Sequence, residues 1–135
     1  MARILVIDDD HAIRSVVTLL LERNGHQIVV AENGRRGLKI LEADDFDLLI
    51  IDIFMPEMDG LEAIRLVRQI RPVMPILVMS GGVQIGAMPD YLSMATKLGA
   101  IDGIRKPFKP EGLVAAVTAC LGHNDGRHAD QSNVR

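Results

Sequence analysis

Tryptophan is absent and aromatic residues make up only 3% of the 135-residue chain, which excludes a core stacked from large rings. The interior must be filled by Ile, Leu, Val, Met and Ala, which dominate a 48% hydrophobic fraction. Such aliphatic filling suits strands buried on both faces of a parallel sheet. A single cysteine, Cys120, excludes an intrachain disulfide and reads as a small core residue on the last helix. Long hydrophobic runs are missing too. Residues 4–7 are far too few for a signal peptide or a membrane span, so the cytoplasm is the expected compartment and no membrane partner is expected. No run rich in Lys or Arg appears, and a net charge of -3 argues against a nucleic-acid-binding surface. A chain of this length corresponds to one domain and buries roughly two thirds of its unfolded surface, so it needs no metal or disulfide staple to fold.

What is present is an alternation of short apolar runs with stretches of helical period. Residues 4–7 read as a buried strand ended by Asp8, Asp9 and Asp10. Ile13, Val16, Val17, Leu20 and Leu21 mark one apolar helix face, stopped by Asn24 and Gly25. A second strand over residues 28–31 leads into a helix with Asn33 as its N-cap. Residues 48–53 form the third and most apolar strand, interrupted by Asp52. Pro56, Asp59 and Gly60 make a turn, with Asp59 capping a helix that reaches about Ile70. The fourth strand covers residues 76–79, and a glycine-rich stretch follows it. Pro89 and Asp90 open a short helix that ends near Leu98, before Gly99. The fifth strand covers residues 101–105, and Pro110 lies in the first turn of a last helix through Cys120 and Leu121. Residues 1–122 make the folded domain; residues 123–135 are polar and aperiodic, and a disordered tail is expected.

Five strands alternating with five helices predict an α/β protein, a (βα)5 doubly wound parallel sheet of flavodoxin-like strand order 2-1-3-4-5. In that order the first and third strands are neighbours. Asp8, Asp9 and Asp52 then meet at one sheet edge. Asp52 stands in a run of Leu and Ile, where a carboxylate is costly unless paired or bound to metal. Three converging acids repel and raise one another's pKa, and a hard divalent cation resolves the conflict. Mg²⁺ suits this set, with Asp8, Asp9, Asp52 and the backbone carbonyl of Phe54 as ligands. A carboxylate so neutralised is arranged for aspartyl-phosphate chemistry, which needs stabilised phosphoryl oxygens more than covalent help. Ser80, ending the fourth strand, offers a hydroxyl for this. Lys106, ending the fifth, offers an ammonium. Lys106 precedes Pro107, where a cis peptide is affordable and aims the lysine inward. The blander reading of Asp8, Asp9 and Asp10 is a helix N-cap cluster, a role that Asp10 fills in either case.

Four blocks carry a resemblance to a known family: Val6 to Asp10, Ile51 to Gly60, Val78 to Gly82, and Lys106 to Phe108. In this order and spacing they resemble bacterial response-regulator receiver domains of the CheY-like superfamily, over residues 3 to about 121. The resemblance implies Asp52 as phosphoacceptor, Asp8 and Asp9 as the acids on the Mg²⁺ side, Ser80 as switch hydroxyl and Lys106 as the phosphate contact. It implies a stand-alone, single-domain phosphoacceptor in a two-component phosphorelay. The donor would be a sensor histidine kinase or a histidine phosphotransfer protein, and the receiver would not itself be a turnover enzyme. Output would pass to a protein partner through the face built from the last two helices and the fifth strand, or by relay of the phosphate. Apolar residues near those helices allow a weak homodimer. The alternatives are a receiver-fold interaction module without regulated phosphorylation and a Mg²⁺-dependent aspartyl phosphatase, which the adjacent acids ending the first strand and the expected lack of a cap domain oppose.

Three departures from the family pattern stand out. Gly103 occupies the position of the usual switch aromatic, and Tyr91 or Met94 is expected to take over part of its readout. The stretch from Ser80 to Gly99 is long and glycine-rich, and is expected to order when phosphate binds. Phe54 and Gly82 cannot hydrogen-bond a hydrolytic water through their side chains, so slow self-dephosphorylation is expected.

Overall fold

The apolar runs form a five-stranded parallel sheet in the order β2-β1-β3-β4-β5, as the alternation of elements predicts. A computed structural model describes the chain except residues 56, 57, 59, 82–90, 101 and 135; for residues 91–93 and 123–134 it describes the backbone only. In chain order the elements are β1 (Arg3–Ile7), α1 (His11–Arg23), β2 (Gln27–Ala31), α2 (Gly34–Ala43), β3 (Leu48–Asp52), α3 (Gly60–Ile70), β4 (Ile76–Ser80), α4 (Tyr91–Lys97), β5 (Asp102–Arg105) and α5 (Pro110–Val134).

The period-two alternation of side chains along each strand splits the interior into two cores, one on each side of the sheet. On one side Leu5, Ile7, Leu49, Ile51, Ile76 and Val78 pack under residues of α2, α3 and α4. On the other, Ile4, Val6, Leu48, Ile50, Leu77 and Met79 meet Val17 and Leu21 of α1 and Leu113, Val117 and Cys120 of α5. The three central strands are thus apolar at almost every position, and polar groups enter at their C-terminal ends. Cys120 is buried and free, as expected; burial pushes its thiol up to about 11, so it stays protonated and inert at neutral pH.

Local signals set the element ends. The Asp10 carboxylate accepts from the amides of Ala12 at 2.8 Å and Ile13 at 3.4 Å, capping α1. Asn33 accepts from the amide of Arg36 at 2.8 Å and caps α2. Gly25 and Gly99, with φ of +87° and +117°, turn the chain out of α1 and α4. The expected caps at Asp59 and Pro89-Asp90 lie outside the described residues. Among the described residues no helix is long and apolar enough to cross a membrane.

Some boundaries differ from the sequence reading. β3 stops at Asp52 and β4 continues to Ser80, because the ladder pairs Asp52 with Met79 and Ser80 with Arg105. The backbone of α5 stays helical through Val134 and not only to Leu121. Gly122 does not end it: a glycine costs a helix only about 1 kcal/mol, and no proline follows. Val16, assigned from its spacing to the buried face of α1, is 46% exposed. Val17 and Leu21, one turn apart, define the stripe that meets the sheet, and Val16 is turned about 100° away from it. Val17→Ala therefore lowers stability by about 2 kcal/mol in urea unfolding, and Val16→Ala by less than about 0.5 kcal/mol.

Candidate functional site

Because Ile7 pairs with Ile51 across β1 and β3, the residues that follow them, Asp8 and Asp52, leave the sheet side by side. Carboxylate oxygens of Asp8, Asp9 and Asp52 all lie within 4.8 Å of one another. Asp8 is fully buried, Asp52 nearly so, and Asp9 faces solvent. Each buried carboxylate is held at both oxygens. Asp8 Oδ1 accepts from the amide of Asp10 at 2.9 Å, and Asp52 Oδ1 from the amide of Phe54 at 3.2 Å. Their other oxygens share one cation: Lys106 Nζ donates to Asp8 Oδ2 at 2.7 Å and to Asp52 Oδ2 at 3.3 Å.

The lysine arrives through the far side of the sheet. β5 runs beside β4, and the Lys106 amide donates to the Ser80 carbonyl at 2.8 Å, which ties the end of β5 to the end of β4. The Lys106–Pro107 peptide is cis. Ser80 is buried at the same edge. Below the acids, the Gly60 amide donates to the Ile53 carbonyl at 2.7 Å. A Cβ at Gly60 would stand 2.5 Å from the Asp52 carbonyl oxygen and from Ile53 Cα, so α3 can seat against this backbone only with glycine at its start.

Asp52 and Ser80 end β3 and β4, Asp8 and Asp9 follow β1 and Lys106 follows β5, so all five sequence-predicted residues stand at this one edge. Phe54 is half-buried beside them with its amide on Asp52. Two features escape the sequence. Lys106 is the counter-ion of Asp8 and Asp52, a pairing across 98 and 54 residues that no local pattern signals. Arg14 donates from Nη1 to the Asp8 carbonyl at 2.8 Å, bracing the loop after β1. In sequence it is one more arginine in the first turns of a helix.

Burial and the neighbouring Asp8 charge push the Asp52 carboxyl up to about 6, against the opposing pull of Lys106 and the Phe54 amide. Burial alone would lower the Lys106 ammonium; the hydrogen bond to Asp8 and the charges of Asp52 and Asp8 outweigh it and leave the pKa raised. Among the described residues, three acids gather at the pocket and one ammonium reaches two of them. Opposite ligands on an octahedral magnesium ion stand about 4 Å apart, so hard oxygens gathered within 4.8 Å fit that ion with little rearrangement. The donor set contains no sulfur or imidazole that would favour a softer metal.

The raised Asp52 pKa fixes the sign of a pH effect. Above its unfolded value near 4 the unfolded chain releases this proton while the folded chain still holds it. Stability from this group is complete below that value and is lost as pH rises through about 6. In metal-free buffer, Asp52→Asn therefore stabilises the protein by about 1–3 kcal/mol at pH 7.5, and the gain disappears by about pH 4. Urea titrations at both pH values check this, and a gain that grows toward acid pH contradicts it.

Comparison with known proteins places this geometry. The family model described as response regulator receiver domain matches residues 4–118. The chain is 37% identical over 127 residues to a protein of Picosynechococcus sp. described as a probable transcriptional regulatory protein, covering 89% of this chain and 49% of that protein. It is 32% identical over 133 residues to the transcriptional regulatory protein CpxR of Escherichia coli, covering 98% of this chain and 55% of CpxR. The chain thus spans about half the length of these relatives. Among solved structures, a CheY-like response regulator receiver domain protein of Methanospirillum hungatei superposes with a TM-score of 0.85 at 28% identity, covering 94% of this chain and 98% of that one. Since the receiver model takes in β1 except Arg3, all of β2 to β5 and all of α1 to α4, the chain belongs to the response-regulator receiver domain family.

Proposed function

We propose that Asp52 accepts a phosphoryl group from a sensor histidine kinase or a histidine phosphotransfer protein. The observation that carries this is the lysine-bridged pair of buried carboxylates, Asp8 and Asp52, with a third acid, Asp9, on the solvent side. Receiver domains bind Mg²⁺ through an acidic pocket of this kind, and Asp8, Asp9, Asp52 and the Phe54 carbonyl would hold it here. When bound, Mg²⁺ would neutralise the acids and draw charge from the phosphoryl oxygens.

The chain's own groups divide the remaining tasks. An Asp52 oxygen attacks phosphorus, the bond from phosphorus to the donor nitrogen breaks, and the electron pair leaves with the donor imidazole. Lys106 exchanges its contact with Asp52 for a phosphoryl oxygen, and the Ser80 hydroxyl takes another. The sheet positions these groups before the reaction, so little reorganisation is needed in the transition state. The phosphorylated state then biases the face of α4, β5 and α5, where Met94 and Leu98 are exposed, toward a protein partner or a relay step. Residues 1–122 constitute this domain. It modifies itself and turns over no separate substrate.

One observation favours the interaction-module reading. Gly103 occupies β5, so this chain has no aromatic there to carry the switch. Acetyl phosphate separates the readings. With Mg²⁺ the wild type gains one phosphoryl mass, and Asp52→Ala or added EDTA abolishes the gain. Labelling retained in Asp52→Ala removes the assignment of Asp52. Phe54 offers no side-chain hydrogen bond to an attacking water, so the acyl phosphate outlives the labelling reaction. Phe54→Asn shortens its lifetime, read as decay of the phosphorylated mass after donor removal.

A further inference from the structure

Asp9 is the exposed member of the three-acid group, yet its carboxylate lies within 4.8 Å of those of Asp8 and Asp52. Asp8 and Asp52 are held there by Lys106 and by backbone amides. Among the described residues, no hydrogen bond or ion pair holds the Asp9 side chain. Its place comes from its backbone. Two planar peptide units flank Asp9, and fixing both leaves its Cα–Cβ bond a single direction. The amide of the unit joining Asp9 to Asp10 donates to Asp8 Oδ1 at 2.9 Å. The carbonyl of the unit joining Asp8 to Asp9 accepts from Arg14 Nη1 at 2.8 Å. One pin is thus the neighbouring acid, and the other is an arginine of α1.

Arg14 stands one turn beyond the cap Asp10, and its amide donates to the Asp10 carbonyl at 3.0 Å. Side chains of a helix lean toward its N-terminus, which aims this one back over the loop. Arg14 is half-buried. A cation near the start of a helix opposes the macrodipole, so the position is not one that favours arginine by itself. Among the described residues the guanidinium pairs with no carboxylate, although three acids directly precede α1. An arginine so placed and bonded to a neutral carbonyl acts through geometry, not through charge pairing.

We propose that Arg14 is a positioning residue for Asp9: by fixing the peptide between Asp8 and Asp9 it aims the exposed carboxylate into the pocket that would take Mg²⁺. The proposal rests on the reading of Asp8, Asp9 and Asp52 as magnesium-site acids. It assigns a role to a side chain that touches neither metal nor phosphate.

Magnesium chloride titrations followed by backbone ¹H–¹⁵N shifts give the affinity without any phosphoryl transfer. Arg14→Met, which keeps a stem and removes the donors, weakens Mg²⁺ binding about tenfold, the size seen for groups that orient a metal ligand. Arg14→Lys, which keeps a donor, recovers most of the affinity. The sign separates geometry from charge, because removing a nearby cation would by itself tighten the binding of Mg²⁺. Unchanged or tightened binding in Arg14→Met overturns the proposal. Independently, in metal-free protein the three-bond HN–Hα coupling of Asp9, which reports its φ, moves in Arg14→Met toward the averaged value of a mobile residue. An unmoved coupling overturns the proposal whether or not the protein binds metal. A wild type that takes up no Mg²⁺ sinks the metal-site reading instead, and the Asp9 coupling then decides the role of Arg14.

Discussion

Two carboxylates buried side by side repel unless a cation stands between them, and Lys106 stands there, 2.7 Å from Asp8 and 3.3 Å from Asp52. The rest of the structure serves this contact. β1 and β3 must be adjacent to bring the acids together, and β4 and β5 must follow in order to bring the lysine back across the sheet. Among the described residues, one ammonium reaches the two buried acids and a third acid stands beside them. Burial and the neighbouring Asp8 charge keep the Asp52 carboxyl raised.

The two-sided core explains why the chemistry sits where it does. Inside β1, β3 and β4 both faces of the sheet are covered, so an unpaired polar side chain has no place there. The strand ends are the first positions at which the backbone leaves the ladder and water or ligand can approach. Ligands of open α/β sheets gather at such carboxyl ends, beside the point where the strand order reverses. In this chain that point lies between β1 and β3.

Close backbone packing is a second theme of the site. Gly60 lets α3 seat against the backbone that carries Asp52, and the Lys106 stem passes close to the bare Cα of Gly81. Neither glycine offers a group to chemistry. Gly103 likewise leaves its place in β5 without a side chain.

The order of the sheet, the caps at Asp10 and Asn33 and the meeting of Asp8 with Asp52 are legible in the chain by itself, because they rest on local periodicity and on the few topologies open to five βα units. The candidate residues are legible for a related reason: a carboxylate inside an aliphatic strand has few comfortable explanations. What only the folded chain decides depends on side-chain paths between distant segments. The Lys106 bridge, the Arg14 brace on the Asp8 carbonyl, the outward turn of Val16 and the stem lying over Gly81 all depend on where neighbouring elements stop and how they are rotated. Periodicity constrains which face a residue occupies to within about a quarter turn, whereas a hydrogen bond is made or lost within about half an ångström.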